Sequence, residues 1–331
     1  PNHSKRGSVG EMMADLSHAP LSHAPARQES QQGLRVAIRE HKIPSAGSKP
    51  YIAMQGPDGA LWFCESGAAK IGRFDPDRGT LREFALPTPN ATPVGITVGG
   101  DGAMWLAQKS ANKIGRITMR GEITEFALPT PNAGPDGMML GPDGNVWFSE
   151  TEVSRIARIT PDGRITEFAD GITPGAKPLS IAVRDGALWF SEASGNRVGR
   201  ITTDGKVTEF PIPSHDSQPR AMATHPDGSI WFVETSTNAL GRIDRDGRIT
   251  EHKVPTPDAS LRGVTVGPGG DLWYTANFAN KIGCMAPDGT VRGEYDIPTP
   301  ASGARCITAQ ADGRLFFTQY DSGSIGEVVL S

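Results

Sequence analysis

The sequence predicts an all-β protein, a seven-bladed β-propeller in which each blade has four antiparallel strands. The first observation is a repeat, because the six tryptophans are spaced at 43, 42, 42, 42 and 42 residues and Phe316 follows 43 residues later. The second is an Asp-Gly or Gly-Gly pair shortly before each of these seven aromatic positions. The third is four strand-like segments in each copy, which is the content of a propeller blade of about 40–45 residues.

Each copy contains the four strands in a fixed order. The first strand is typified by residues 94–99 (VGITVG), and the Asp-Gly turn that follows supplies the positive φ that tight hairpins require. The second strand carries the tryptophan, as in NVWFSE, and the third reads KIGRIT. A second turn and a fourth strand of the ITEF type follow, and a proline-rich connector such as LPTPNA ends the copy, since proline cannot donate to a strand ladder.

The seventh copy lacks its fourth strand, and a segment near the N-terminus is expected to supply it. Residues 37–47 (AIREHKIPSAG) match residues 122–133 (EITEFALPTPNA) and precede the first copy. Pairing this segment with the C-terminal strand would close the ring and remove two free sheet edges. We therefore predict one propeller domain over residues 34–331, preceded by a flexible tail over residues 1–33 that contains the duplication LSHAPLSHAP.

Composition restricts the partners. The net charge is −4 with both signs spread along the chain, and the mean hydropathy is −0.34. No apolar run approaches the ~18 residues of a membrane span, and no basic patch indicates nucleic acid, so we expect neither partner. Three scattered cysteines form no disulfide framework. We expect a monomer, located in the cytoplasm or, if a signal peptide has been removed, in the periplasm or outside the cell.

The start of the first strand and the end of the second are expected to meet at one mouth of the central channel. The residues that end the second strands are Glu65, Gln108, Glu150, Glu192, Glu234, Ala276 and Gln319. The residues that begin the first strands are Tyr51, Val94, Asp136, Leu179, Arg220, Arg262 and Arg305. The mouth would thus have an acidic arc and a basic arc, which uniform structural repetition would not produce.

Three convergent guanidinium groups suit a carboxylate, a phosphate or a carbonyl-rich ligand. A structural alternative pairs Arg220, Arg262 and Arg305 with Glu192 or Glu234 of neighbouring blades. The glutamates also allow two interpretations, since they could stabilise the scaffold or, as Glu150, Glu192 and Glu234 with Asp136, bind Mg²⁺ or Ca²⁺. No histidine occupies a mouth position, so a histidine-based metal site is not expected.

The segments ANKIGRIT, GEITEFALPTPNA, DGNVWFSE and PDGRITEF resemble the virginiamycin B lyase (streptogramin B lyase) family, from about Leu34 to the C-terminus. The resemblance implies a magnesium-assisted elimination that opens the ester of a cyclic depsipeptide antibiotic without water. It also implies a histidine for proton transfer at the start of the first strand in the last blade, with one glutamate two residues earlier and another at the end of the second strand binding the metal. A second histidine, in the preceding blade, would contact the substrate.

This chain departs from that pattern at the positions that matter for catalysis. Arg305 stands at the catalytic histidine, Gly303 at the first metal glutamate, and Gln319 or Tyr320 at the second. Arg262 stands at the substrate histidine, whereas Tyr51 matches an aromatic residue of the first blade. Because arginine stays protonated, it is a poor general base but can stabilise an oxyanion.

Three functions therefore remain open at the level of the sequence. The first is a carbon–oxygen lyase with a divergent site acting on an ester or lactone, in which Arg305 and Tyr320 are catalytic. Tyr51, Asp136, Arg220 and Arg262 would bind its substrate. The second is a non-catalytic propeller that binds a small acidic ligand or a peptide at the mouth. The third is a metal-dependent lactonase of the gluconolactonase type.

Overall fold

The computed structural model describes residues 27–29 and 34–331, and it confirms the predicted seven-bladed propeller of antiparallel strands. The first blade contains β3 (Pro50–Gln55), β4 (Leu61–Glu65), β5 (Lys70–Asp75) and β6 (Thr80–Ala85). The second contains β7 (Pro93–Val98), β8 (Met104–Gln108), β9 (Lys113–Ile117) and β10 (Ile123–Ala127). The third contains β11 (Pro135–Leu140), β12 (Val146–Glu150), β13 (Arg155–Ile159) and β14 (Ile165–Phe168).

The next three blades repeat this order from the inner strand outward. The fourth contains β15 (Pro178–Arg184), β16 (Ala187–Glu192), β17 (Arg197–Thr202) and β18 (Val207–Pro211). The fifth contains β19 (Pro219–Thr224), β20 (Ile230–Glu234), β21 (Ala239–Ile243) and β22 (Ile249–Lys253). The sixth contains β23 (Leu261–Val266), β24 (Leu272–Ala276), β25 (Lys281–Met285) and β26 (Val291–Asp296).

The seventh blade combines both ends of the described chain. It contains β1 (Arg27–Glu29), β2 (Arg35–Lys42), β27 (Ala304–Ala309), β28 (Leu315–Gln319) and β29 (Ser324–Leu330). Strand β2 pairs antiparallel with β29, in the register Val36 to Leu330 through Lys42 to Ser324, which confirms the predicted closure. Strand β1 pairs with β2 and adds a fifth strand. The rest of the predicted tail over residues 1–33 lies outside the described residues.

Helices contribute little to the described chain. Two short 3₁₀ turns occur at Thr151–Val153 and Pro268–Gly270. Within residues 34–331, no helix has the length and apolar character needed to cross a membrane.

The repeated tryptophans are buried between neighbouring blades. Trp62 is fully buried and stacks on Phe84 of the fourth strand, with ring centroids 5.6 Å apart. Its indole N–H donates to Asp58 of the preceding turn at 3.0 Å. Trp105 and Phe126 repeat this stack at 5.7 Å. Trp62 belongs to a core cluster with Ile96 and Leu106 of the second blade, so these buried aromatic pairs pack one blade against the next.

The KIGR segment of the third strand is also scaffold, but its basic residues have other partners than the glutamate that ends the second strand. Arg73 donates from Nε to the turn residue Asp58 at 2.7 Å, and Lys70 lies 3.7 Å from Glu83 of the fourth strand. Gly72 is required by packing, since a Cβ there would lie 2.0 Å from the ring of Phe63. The third strand therefore connects the turn, the second strand and the fourth strand of its own blade.

Candidate functional site

The inner strands of the seven blades surround a central cavity of about 410 Å³. The second residue of each inner strand lies at the mouth, since every inner strand begins at that end. At this level the structure brings Tyr51, Asp136, Arg220, Arg262 and Arg305 together around one cavity. These are five of the six residues that the sequence assigned to catalysis or substrate binding, and the sixth, Tyr320, packs edge-on against Tyr51 with centroids 6.0 Å apart.

Arg220, Arg262 and Arg305 form what we call the arginine collar. Within residues 34–331, none of the three has a carboxylate within ion-pairing distance. The Nε atom of each is buried and has no hydrogen-bond partner in that part of the chain. Burial and the charges of Arg220 and Arg305 lower the pKa of Arg262 to about 10. The collar thus presents three charged guanidinium groups that lack an anion, and the structural alternative of pairing with Glu192 or Glu234 is not realised.

Arg305 is held by aromatic rings rather than by a carboxylate. Its guanidinium carbon lies 4.1 Å from the ring centroid of Tyr320 and 5.0 Å from that of Tyr51. Such cation–π contacts orient the side chain while leaving its N–H donors free for a ligand. Burial and the charge of Asp136 raise the pKa of Tyr51, so its phenol stays neutral and can donate a hydrogen bond.

The carboxylate of Asp136 forms an ion pair with Lys109, a residue that the sequence did not single out. Lys109 Nζ lies 2.8 Å from Asp136 Oδ2 and 3.9 Å from Glu152 Oε1. Burial raises the pKa of Asp136, although the charge of Lys109 opposes that rise. Lys109 directly follows Gln108, the last residue of the second strand in its blade. Inspecting the residue after each second strand would have identified Lys109. Because the charges of Lys109 and Asp136 offset each other, the collar arginines give the mouth its net positive charge.

A second cavity of about 510 Å³ adjoins the first through Leu179 and Arg220. Its wall is polar and includes Glu152, Lys177 and Asp216. Lys177 Nζ lies 3.5 Å from Glu152 Oε2, so these charges are satisfied by each other. Arg220 is therefore accessible from both cavities.

The three predicted metal ligands are located elsewhere. Glu150, Glu192 and Glu234 are fully buried, each inside its own blade, and none lines the central cavity. The described residues contain no group of three or more histidine, cysteine, aspartate or glutamate side chains arranged for a metal. The structure therefore does not bring these three glutamates together, and a metal site formed by them stays a prediction.

Each of these glutamates instead lies beside a glutamate of the fourth strand. In the third blade Glu150 faces Glu167, which is ionised because it accepts from Thr130 Oγ1 at 2.7 Å and from Arg155 at 2.7 Å. Burial and Glu167 raise the pKa of Glu150 to about 8. Protonated Glu150 can then donate to ionised Glu167, which satisfies the buried carboxyl of Glu150.

The same arrangement recurs around the ring. Burial and the neighbouring fourth-strand glutamates raise the pKa values of Glu65, Glu192 and Glu234 to about 8 as well. In the seventh blade the position is Gln319, whose amide donates to Glu40 at 2.8 Å. A glutamine that donates where other blades have glutamate indicates that the glutamates are neutral donors too.

Gly303 occupies a conformation that excludes a side chain. Its φ is +72°, and a Cβ would lie 2.3 Å from Asp321 Oδ2 and 2.8 Å from the Asp321 nitrogen. A residue with a side chain would therefore require the loop to move. The position that resembles a metal-binding glutamate is thus closed to glutamate in this backbone.

The chain is similar to a known protein family and to solved structures of that family. The model of the virginiamycin B lyase family matches residues 29–183 and 170–331. A streptogramin B lyase structure is 35% identical, with a TM-score of 0.85 over 89% of this chain and 98% of that one. A catalytically inactive histidine-to-alanine variant of virginiamycin B lyase from Staphylococcus aureus, with quinupristin, is 37% identical, with a TM-score of 0.85 over 89% of this chain and 100% of that one.

Other comparisons are less informative. A protein proposed to be a gluconolactonase is 20% identical, with a TM-score of 0.54 over 72% of this chain and 88% of that one. At this identity the likeness concerns the fold alone. Among curated proteins no match was found.

Proposed function

The chain belongs to the virginiamycin B lyase family, and from this premise we propose that it is a small-molecule-binding propeller whose ligand is an organic anion held at the channel mouth. The observation that carries the proposal is the arginine collar, three guanidinium groups with buried and unpartnered Nε atoms around one cavity. Leaving such donors without an acceptor costs free energy, and a carboxylate or phosphate would satisfy them with charge-assisted hydrogen bonds.

Citrate is a suitable first probe because its three carboxylates match the charge of the collar. We expect isothermal titration calorimetry to detect citrate binding and Arg262→Gln to weaken it by about 10- to 100-fold, since one charge-assisted contact is lost. Arg116→Gln is the matched control, because Arg116 is paired with Asp101 at 2.6 Å and does not line the cavity. Equal affinities for the wild type and Arg262→Gln would contradict the proposal.

The magnesium that the family resemblance implies does not fit these residues. Gly303 stands where the resemblance puts one metal-binding glutamate, and Gln319 or Tyr320 where it puts the other. The collar adds positive charge at the mouth. The residues at these positions therefore do not form a magnesium site of the kind that the resemblance implies. The lactonase alternative also has less support, since Glu150, Glu192 and Glu234 do not line the cavity with the fourth proposed ligand, Asp136.

The second candidate function is a lyase acting on an ester or lactone that carries an anionic group. It is favoured by the arrangement of Arg305 between Tyr51 and Tyr320, with the Asp136 carboxyl on the same cavity. Elimination breaks a carbon–oxygen bond and removes a proton from the neighbouring carbon. Asp136 would accept that proton, and Arg305 would stabilise the charge that develops on the carbonyl oxygen.

Quinupristin tests whether this chain retains ring-opening of a streptogramin B compound. We expect no conversion to the linear isomer, because arginine replaces the histidine that accepts the proton. Arg305→His alone is expected to remain inactive, since Gly303 still supplies no carboxylate at the position of the metal-binding glutamate. Liquid chromatography with mass spectrometry separates the linear isomer from the cyclic parent, and linear product from the purified wild type would refute the prediction.

A further inference from the structure

The central cavity changes character abruptly below the arginine collar. Because strand residues advance by about 3.3 Å, each position of the inner strands forms one layer of the cavity wall. We call the wall formed by the fourth to sixth residues of these strands the shaft. Its partly exposed side chains are mostly apolar and include Met54, Met139, Ala223, Val266 and Ala309.

Charge is confined to the mouth. Of the described residues that line the central cavity, those with charged side chains are Asp136 and the three collar arginines, all in the second layer. The polar groups of the shaft wall are uncharged and include the hydroxyls of Thr265 and Thr308. A cavity that is charged at the mouth and apolar in the shaft suits a ligand with one charged end and one apolar end.

We infer that the ligand is an amphiphilic organic anion, with an oxyanion head group on the arginine collar and an apolar tail in the shaft. This inference rests on the proposed function and specifies its ligand class. The head group is a carboxylate or a phosphate, since both accept from guanidinium donors. The tail points into the shaft because the adjoining second cavity has charged walls, whereas methionines of the shaft adapt to apolar chains of different shape.

A series of straight-chain carboxylates tests the tail. Calorimetry with acetate, butyrate, hexanoate, octanoate and decanoate is expected to show affinity rising about fourfold for each added methylene that enters the shaft. The increase should continue through the series, since four strand residues extend the shaft roughly 13 Å below the collar. Decyl phosphate beside decanoate identifies the head group, and Arg262→Gln should weaken whichever head group binds.

A variant that fills the shaft separates the two parts of the ligand. Ala223 lines the shaft and is half-buried, so Ala223→Phe is expected to remove the gain from chain length while leaving citrate binding unchanged. Retained citrate binding also shows that the variant is folded. The matched control is Ala127→Phe, because Ala127 is exposed on an outer strand.

Each outcome decides one claim. Affinity that does not change with chain length, together with collar-dependent citrate binding, would overturn this inference and leave the proposed function intact. A gain with chain length that persists in Ala223→Phe would place the tail elsewhere and would also overturn it. Loss of collar dependence for every acid would overturn the proposed function as well.

Discussion

Replacing all three collar arginines with glutamine is expected to stabilise the free protein while it abolishes anion binding. In the free protein Arg220, Arg262 and Arg305 repel one another, and their buried Nε atoms lack acceptors. Glutamine removes the repulsion and most of the desolvation cost, so the free energy of unfolding should rise by about 1–2 kcal/mol. Binding sites commonly carry such a cost, because the ligand supplies the missing interactions.

Chemical denaturation with and without citrate measures both effects. The wild type should gain stability when citrate is added, whereas the triple variant should not respond. Arg155→Gln is the control, since Arg155 is paired with Glu167 at 2.7 Å, and its replacement should lower stability. A triple variant less stable than the wild type would mean that the collar arginines serve the scaffold.

A second large effect is expected from pH, because the free energy of unfolding should fall as the pH rises from about 5 to 8. Glu65, Glu150, Glu192 and Glu234 have folded-state pKa values of about 8, raised from 4.5. The folded state therefore holds these protons at pH values where the unfolded chain has released them. The resulting stability is fully present below pH 4.5 and is lost as the pH rises toward 8, so the free energy of unfolding falls across this range.

Glutamine at the four positions should remove most of this pH dependence. The amide supplies a donor that does not titrate, as Gln319 does toward Glu40. Stability measured by denaturant unfolding at pH 5.5, 6.5 and 7.5 should then be nearly constant in the quadruple variant. Glu167→Gln is the control, because it removes the ionised acceptor and should destabilise the protein at each pH. An unchanged slope in the quadruple variant would contradict the carboxyl–carboxylate pairs.

The fold could be predicted because the repeat fixes the alignment of equivalent positions. Trp62 and its counterparts set the second strand of each blade, and residues 37–47 showed which segment closes the ring. The same alignment placed Tyr51, Asp136 and the collar arginines at one level of the inner strands. Because the repeat length varies by one residue at most between tryptophans, equivalent residues occupy the same position along their strands.

The direction of side chains at the strand ends was harder to predict. The sequence placed Glu150 at the mouth, but its side chain turns into the blade because Glu167 lies on the same face two strands away. A recurring glutamate 17 or 18 residues later was the available signal. The positive φ of Gly303 and the pairing of Lys109 with Asp136 depend on loop geometry that the repeat does not determine.

The location of a bound anion tests most directly whether the arginine collar is an anion-binding site. A crystal of the purified protein soaked in selenate, which scatters anomalously, would show where a tetrahedral oxyanion binds. The strongest anomalous peak is expected among Arg220, Arg262 and Arg305, within hydrogen-bonding distance of their guanidinium groups. Peaks confined to other surface arginines, with none at the collar, would contradict this expectation.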